Sequence, residues 1–106
     1  MKSRSIVTVA LVVFALSIPA FGASDGAALF KAKCVACHSA DGSGQSAMGK
    51  TMKVRDLRSD EVQKQTDLQL TKTISGGKGK MPAFGKQMST PDIQALIAHI
   101  RMLKGK

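Results

Sequence analysis

Residues 34 to 38 read Cys34-Val35-Ala36-Cys37-His38, two thiols three positions apart with an imidazole on the next residue. On one helical turn the thiols can bond the two vinyl groups along one porphyrin edge. His38 is then set under the iron as its proximal ligand, which is the physical content of the C-x-x-C-H haem-attachment pattern. Three other readings of a cysteine pair stand beside it. A structural disulfide, common in exported proteins, leaves the adjacent His unexplained. A thioredoxin-type redox pair needs a βαβ context, and no strand pattern is evident. A zinc site fails on ligand count, because the chain adds only His38 and His99 to the two cysteines and their spacing is not that of a zinc pair. One covalently bound haem c, attached through Cys34, Cys37 and His38, is the reading that uses all three residues.

The N-terminus says where such chemistry takes place. Lys2 and Arg4 precede an apolar run from Ile6 to Ala20, broken only by Thr8, Ser17 and Pro19, and Ala20-Phe21-Gly22 offers small residues at the two positions a signal peptidase reads. Residues 1–23 therefore read as a secretory signal peptide with cleavage near residue 22 or 23. The alternative, a retained anchor, has about 15 residues where a spanning helix needs roughly 20. Residues 24–106 are the expected domain, with a periplasmic or otherwise extracytoplasmic location and no stable membrane insertion after cleavage.

A domain of about 83 residues draws only a few kcal/mol from its core and usually carries a staple. Its only aromatics are Phe30 and Phe84, so a buried flat cofactor would supply the missing volume. Loss of Lys2 and Arg4 takes the basic count from 16 to 14 against 7 acidic residues, leaving +7. Charge of that size steers association toward an acidic partner. Nucleic acid, the other polyanion, is rarely met by an exported protein.

The apolar residues fall at helical spacing, so the fold class is all-α. A first helix starts with Ser24 or Asp25 as N-cap and runs to about Lys33, delivering the chain to Cys34. The stretch from Ser39 to Lys53, rich in Gly and Ser, reads as a long surface loop. Ser59 caps a short turn over Asp60 to Gln65. Thr66 caps a helix from Asp67 to Ser75 with Leu68 and Ile74 inward, stopped by Gly76-Gly77. Residues 78–85 form an extended strap. The last helix has Thr90 as N-cap and Pro91 at its first position, and Ile93, Leu96, Ile97, Ile100 and Leu103 make its buried stripe.

A second axial ligand has to come from a strap able to reach the opposite haem face, and a thioether sulfur suits a high-potential carrier. Met81, held extended by Pro82 and 43 residues beyond His38, is the candidate. Met102 reads as core filler beside the Ile/Leu stripe, Met48 and Met52 as packing residues, and Met88 as too close to a helix cap to move. The metal ligands are thus expected to be His38 and Met81.

The segments Cys34-Val35-Ala36-Cys37-His38 and Gly79-Lys80-Met81-Pro82-Ala83-Phe84, with the helix ending Ile97-Ala98-His99-Ile100-Arg101, resemble the small class I c-type cytochromes over the whole expected domain. The resemblance implies a cytochrome c-like fold of three to five helices around one haem, with the first and last helices crossing near Gly26 and Phe30. The last helix of such proteins usually carries an aromatic where this chain has His99, which is expected to stack on Phe30. Related proteins often have a Pro near Ala47 whose carbonyl accepts the Nδ1 proton of the proximal His, and Ala47 retains a carbonyl for that bond.

The expected function is one-electron transfer between redox proteins by a monomeric carrier, not bond-making catalysis. A haem subunit or domain of a larger redox complex is an alternative, as is a ligand-binding or peroxidase-type cytochrome, for which His99 is the only distal candidate. Lys50, Lys53, Lys72, Lys78, Lys80 and Lys86 fall near segments expected to border the haem. They form either a docking ring for an acidic partner surface or ordinary solvated surface. Arg55 or Arg58 is placed to meet a haem propionate.

Overall fold

The computed structural model describes residues 24–106, together with Ser3 and residues 8–13. The expected signal peptide over residues 1–23 and its cleavage near 22/23 lie for the most part outside the described residues. Within residues 8–13 there is no helix, and Val9, Leu11, Val12 and Val13 are exposed. Among the described residues no helix is long and apolar enough to cross a membrane.

The described residues are helical, with no strand beyond an isolated bridge between Lys78 and Met81. In chain order the helices are α1 (Gly26–Lys33), α2 (Val35–His38), α3 (Ala47–Met52), α4 (Asp60–Gln63), α5 (Asp67–Gly76) and α6 (Thr90–Met102). Two of the six, α2 and α4, are single turns of 4 residues. The capping chemistry follows the sequence closely. Asp25 caps α1 by accepting from the Ala28 amide at 3.1 Å, and Ser59 and Thr66 cap α4 and α5. The cap of α6 is Ser89, one residue earlier than expected. Its hydroxyl accepts from the Asp92 amide while Asp92 accepts from the Ser89 amide, a reciprocal box that Thr90 cannot form because Ile93 would stand in the return position. Pro91 remains in the first turn, where its missing N–H costs nothing. The Ser24 hydroxyl also donates to Asp92 and ties the start of the domain to α6. These bonds, from Ser24 first and then Ser89, hold the Asp92 carboxyl below its ordinary range.

The core is the α1/α6 crossing extended by α5. Phe30 and Leu96 are its most enclosed side chains, and Ile93, Ile97, Ile100 and Leu103 are buried as the periodicity requires. Each such side chain is worth roughly 1.5–3 kcal/mol relative to full exposure. Three expectations give way here. In α5 the inward pair is Leu70 and Ile74, while Leu68 is 64% exposed; positions 70 and 74 lie i, i+4 on one face, and position 68 does not join them. Met102 is 65% exposed rather than core filler, because Leu103 takes the inward position at the end of α6. The stretch expected as loop contains α3, capped by Ser46 and packed on the α2 turn.

Arg101 closes the back of the fold. Its guanidinium donates to the carbonyls of Gln63 at 2.8 Å and Gln65 at 2.6 Å and pairs with Asp67 at 2.8 Å, so one side chain fastens the end of α6 to the connection between α4 and α5.

Candidate functional site

A cavity of about 350 Å³ opens between the α2 turn, α5, α6 and the strap after α5. Its walls are apolar, with Phe30, Leu70, Ile74, Phe84, Leu96 and Ile100 among them. Cys34, Cys37, His38 and Met81, all four residues singled out from the sequence, also face it. A more open groove between α5 and α6, bordered by Asp67, Leu68, Gln94 and Arg101, contains none of them.

The hydrogen bonds of the α2 turn explain how the two thiols and the imidazole come together. The His38 amide donates to Cys34 O at 2.8 Å and the Ser39 amide to Val35 O at 2.9 Å. Ser39 then takes φ 69°, which turns the chain out of the helix directly after the imidazole. Both cysteines are free thiols. Burial, reinforced by the neighbouring Cys37, pushes the Cys34 thiol up to about 11, so it is protonated at neutral pH. Burial pulls His38 below its ordinary value, leaving a neutral imidazole whose ring nitrogen has a lone pair for a metal.

His38 Nδ1 is buried without a hydrogen-bond partner. The bond that the Ala47 carbonyl could have offered is absent: that carbonyl sits in the first turn of α3 and accepts from the Thr51 hydroxyl at 3.0 Å. The replacement of a loop by a helix is the physical reason, since it commits the carbonyl to its own element.

Of the methionines, Met81 and Met52 line the cavity. Met88 is buried in the core, and Met48 and Met102 are exposed. Met81 is half-buried against the core cluster. The strap that carries it is more tightly constrained than an extended segment. The Lys78 amide donates to Met81 O at 3.2 Å and the Met81 amide returns to Lys78 O at 2.9 Å, which closes a two-residue turn over Gly79 and Lys80. Gly77, at φ 73°, lies under this turn so closely that a Cβ there would stand 2.7 Å from Met81 O. The Phe84 amide then anchors the strap to Ile74 O at 2.9 Å.

The two arginines proposed for a propionate now separate. Arg55 lines the cavity, paired at 3.0 Å with Glu61 on the exposed rim. Arg58 does not; it is held by Asp56 at 2.9 Å, Asp41 at 3.7 Å and the carbonyl of Lys106. Among the lysines, Lys53, Lys78 and Lys80 border the cavity together with Lys33, which the sequence reading passed over because it precedes the cysteines inside a helix. Lys50, Lys72 and Lys86 are exposed outside the lining. His99 is not part of the lining. It stacks on Phe30 with ring centroids 4.9 Å apart, tilted by 44°, in the place foreseen for an aromatic.

Two free thiols, a neutral imidazole and a thioether around an apolar cavity with a basic rim fit a covalently attached haem. Zinc is a poorer match, since among the described residues no three or more His, Cys, Asp and Glu side chains are grouped so as to hold a metal ion between them.

Comparison with known proteins converges on this chemistry. Residues 21–100 match the family described as cytochrome c oxidase, cbb3-type, subunit III. A cytochrome c6 from Picosynechococcus is 36% identical over 100 residues, covering 88% of this chain and 85% of that protein. A second, from Gloeothece citriformis, is 37% identical over 104 residues, with 93% and 91% covered. The cbb3-type cytochrome c oxidase subunit FixP of Bradyrhizobium diazoefficiens is 35% identical across 99% of this chain, which spans 37% of that longer protein. In three dimensions the chain is similar to the KustC0563 c-type cytochrome, with TM-score 0.67, 30% identity, and 76% of this chain and 98% of that one covered.

Proposed function

Because this chain belongs to the small class I c-type cytochromes, we propose that it is an exported mono-haem electron carrier, with Cys34 and Cys37 bonded to the haem and His38 and Met81 as axial ligands. The observation that carries this reading is that those four side chains open together onto one apolar cavity. When bound, the haem supplies a metal centre that takes up and releases one electron. The chain's own part is to attach and shield that centre. The thioether positions lie in a turn whose carbonyls are all paired, the core side chains exclude water, and His38 is kept neutral by burial. His/Met ligation raises the potential into the range of a carrier.

Cleavage near residue 22 or 23 and a working location outside the cytoplasm complete the reading. A small separate carrier is supported by the cytochrome c6 relatives, of which this chain covers 85% and 91%. The similarity to FixP supports the alternative of a haem unit within an oxidase complex. Gel filtration of a native extract separates the two, since a carrier elutes at the size of one small chain. A ligand-binding cytochrome is disfavoured by His99, which stacks on Phe30 and leaves no second imidazole in the cavity.

The direct test is expression in a periplasm with haem-attachment machinery. Denaturing acid and organic extraction is expected to leave the haem on the chain, and the reduced visible spectrum is expected to be unchanged by carbon monoxide. Colourless protein with free haem in the organic layer would defeat the assignment of Cys34 and Cys37.

Lys33, Lys53, Lys78 and Lys80 around the cavity mouth are read as the docking face for an acidic redox partner. Electrostatic steering raises on-rates by about 10 to 10³, and a Debye length of about 8 Å at physiological salt damps it. Stopped-flow electron transfer to an acidic acceptor is expected to slow steeply with added salt. Lys78→Glu or Lys80→Glu lowers the low-salt rate, and Lys104→Glu lowers it less. A rate insensitive to salt and to all three changes would leave the rim as solvated surface.

A further inference from the structure

We infer that Ser46 is a positioning residue for haem ligation, acting through the backbone of the Cys34–His38 turn. The inference rests on the proposed attachment at that turn and goes beyond it by naming what holds the turn in shape. A helix end leaves its last carbonyls without partners inside the helix, and α2 is only one turn long, so the carbonyls of Ala36, Cys37 and His38 need partners from elsewhere. The accounting is complete. Cys34 O accepts from the Cys37 and His38 amides, Val35 O from the Ser39 amide, and His38 O from the Gly44 amide at 2.8 Å. The two that remain, Ala36 O and Cys37 O, share the one proton of the Ser46 hydroxyl, at 2.8 and 3.2 Å.

Ser46 also faces the other way. Its hydroxyl oxygen accepts from the Gly49 amide at 3.0 Å and caps α3, while its own amide donates to the Ser39 hydroxyl at 2.8 Å. The side chain is therefore a bracket between the attachment turn and α3. The two elements are in backbone contact, since a Cβ on Gly49 would stand 2.2 Å from Cys37 O. The bracket matters more here because no hydrogen bond orients the imidazole from its Nδ1 side: His38 Nδ1 is buried and unpartnered, and Ala47 O is engaged with Thr51. On that side the orientation of His38 depends on its backbone, and Ser46 holds that backbone through the carbonyls of Ala36 and Cys37.

The two roles of the hydroxyl can be pulled apart. Glycine is nearly as good an N-cap as serine, so Ser46→Gly keeps the start of α3 but removes the donor to Ala36 O and Cys37 O; threonine keeps both functions. Ser46→Gly holoprotein is expected to keep its covalent haem and its helix content. Its hyperfine-shifted proton resonances in the oxidised state, which report axial-ligand orientation, are expected to move, with a shift in reduction potential, and Ser46→Thr is expected to return both to wild type. Hyperfine lines and potential in Ser46→Gly that superimpose on wild type would overturn the inference and leave Ser46 as a helix cap. A wild-type chain without covalent haem would instead refute the proposed attachment, a separate outcome read from the extraction alone.

Discussion

Met81→Ala holoprotein is expected to lose the weak sulfur-to-iron band at the red end of its oxidised spectrum and to fall in reduction potential by on the order of 0.1 V or more, a fraction of the roughly 0.8 V that axial ligands span. The strap explains why no other methionine takes over. Reciprocal bonds between Lys78 and Met81, the close seat of Gly77 under Met81 O, and the Phe84 anchor hold one residue at the cavity. Met88, seven positions later, is packed in the core and does not reach the cavity lining. Met52 is the informative control, since it lines the same cavity from α3. Met52→Ala and Met88→Ala are expected to keep the band. Its survival in Met81→Ala, with loss in Met52→Ala, would transfer the ligand to Met52. The vacated site of Met81→Ala should also bind carbon monoxide when reduced, which the native chain is expected not to do.

The second large effect is on stability. Gly26→Ala is expected to lower the thermal midpoint of the holoprotein by about 10 °C or more. In most helices Gly→Ala stabilises by roughly 0.5–1 kcal/mol, so the sign is set by the crossing. A Cβ on Gly26 would stand 2.1 Å from Ala95 O and 3.2 Å from His99 Cβ, and backbone cannot rotate away as a side chain does. Forcing α1 from α6 costs about 1–3 kcal/mol or more and disturbs the Phe30–His99 stack at 4.9 Å. In a domain of this size about 4–8 °C accompanies each kcal/mol. Gly76→Ala, where a Cβ meets nothing within 4 Å, is the matched control and is expected to melt at or above the wild-type temperature. Equal midpoints for the two variants would mean that α1 and α6 do not cross in contact at Gly26.

Much of this architecture is legible in the chain because the signals are local. Cys34, Cys37 and His38 carry their chemistry within five residues. The stripe of α6 is a period that any helix must obey, and all five of its expected members are buried. Asp25, Ser59 and Thr66 cap helices with bonds to amides three residues on. Where expectation and structure part, the deciding partner lies far along the chain or the period is short. Leu68 and Leu70 are equally apolar, and only the placement of α5 against α6 buries the second. Met102 and Leu103 are neighbours at the end of α6, where a rotation of 100° per residue separates core from solvent.

By itself, the sequence determined the cofactor chemistry, the all-α class and the helix on which the core is built, since each rests on residues that interact within one or two turns. The tertiary structure decided what no local pattern contains. It turned a Gly- and Ser-rich stretch into α3 by seating Gly49 on Cys37 O, assigned Arg58 to Asp56 and the C-terminal carbonyl rather than the cavity, and gave Arg101 its three backbone and carboxylate partners. It also made Ser46 the link between α3 and the Cys34–His38 turn. A hydroxyl in a flexible-looking segment has no preferred partner until folding brings two orphaned carbonyls within 3.2 Å of it, and that proximity is a property of the packed chain, not of its order of residues.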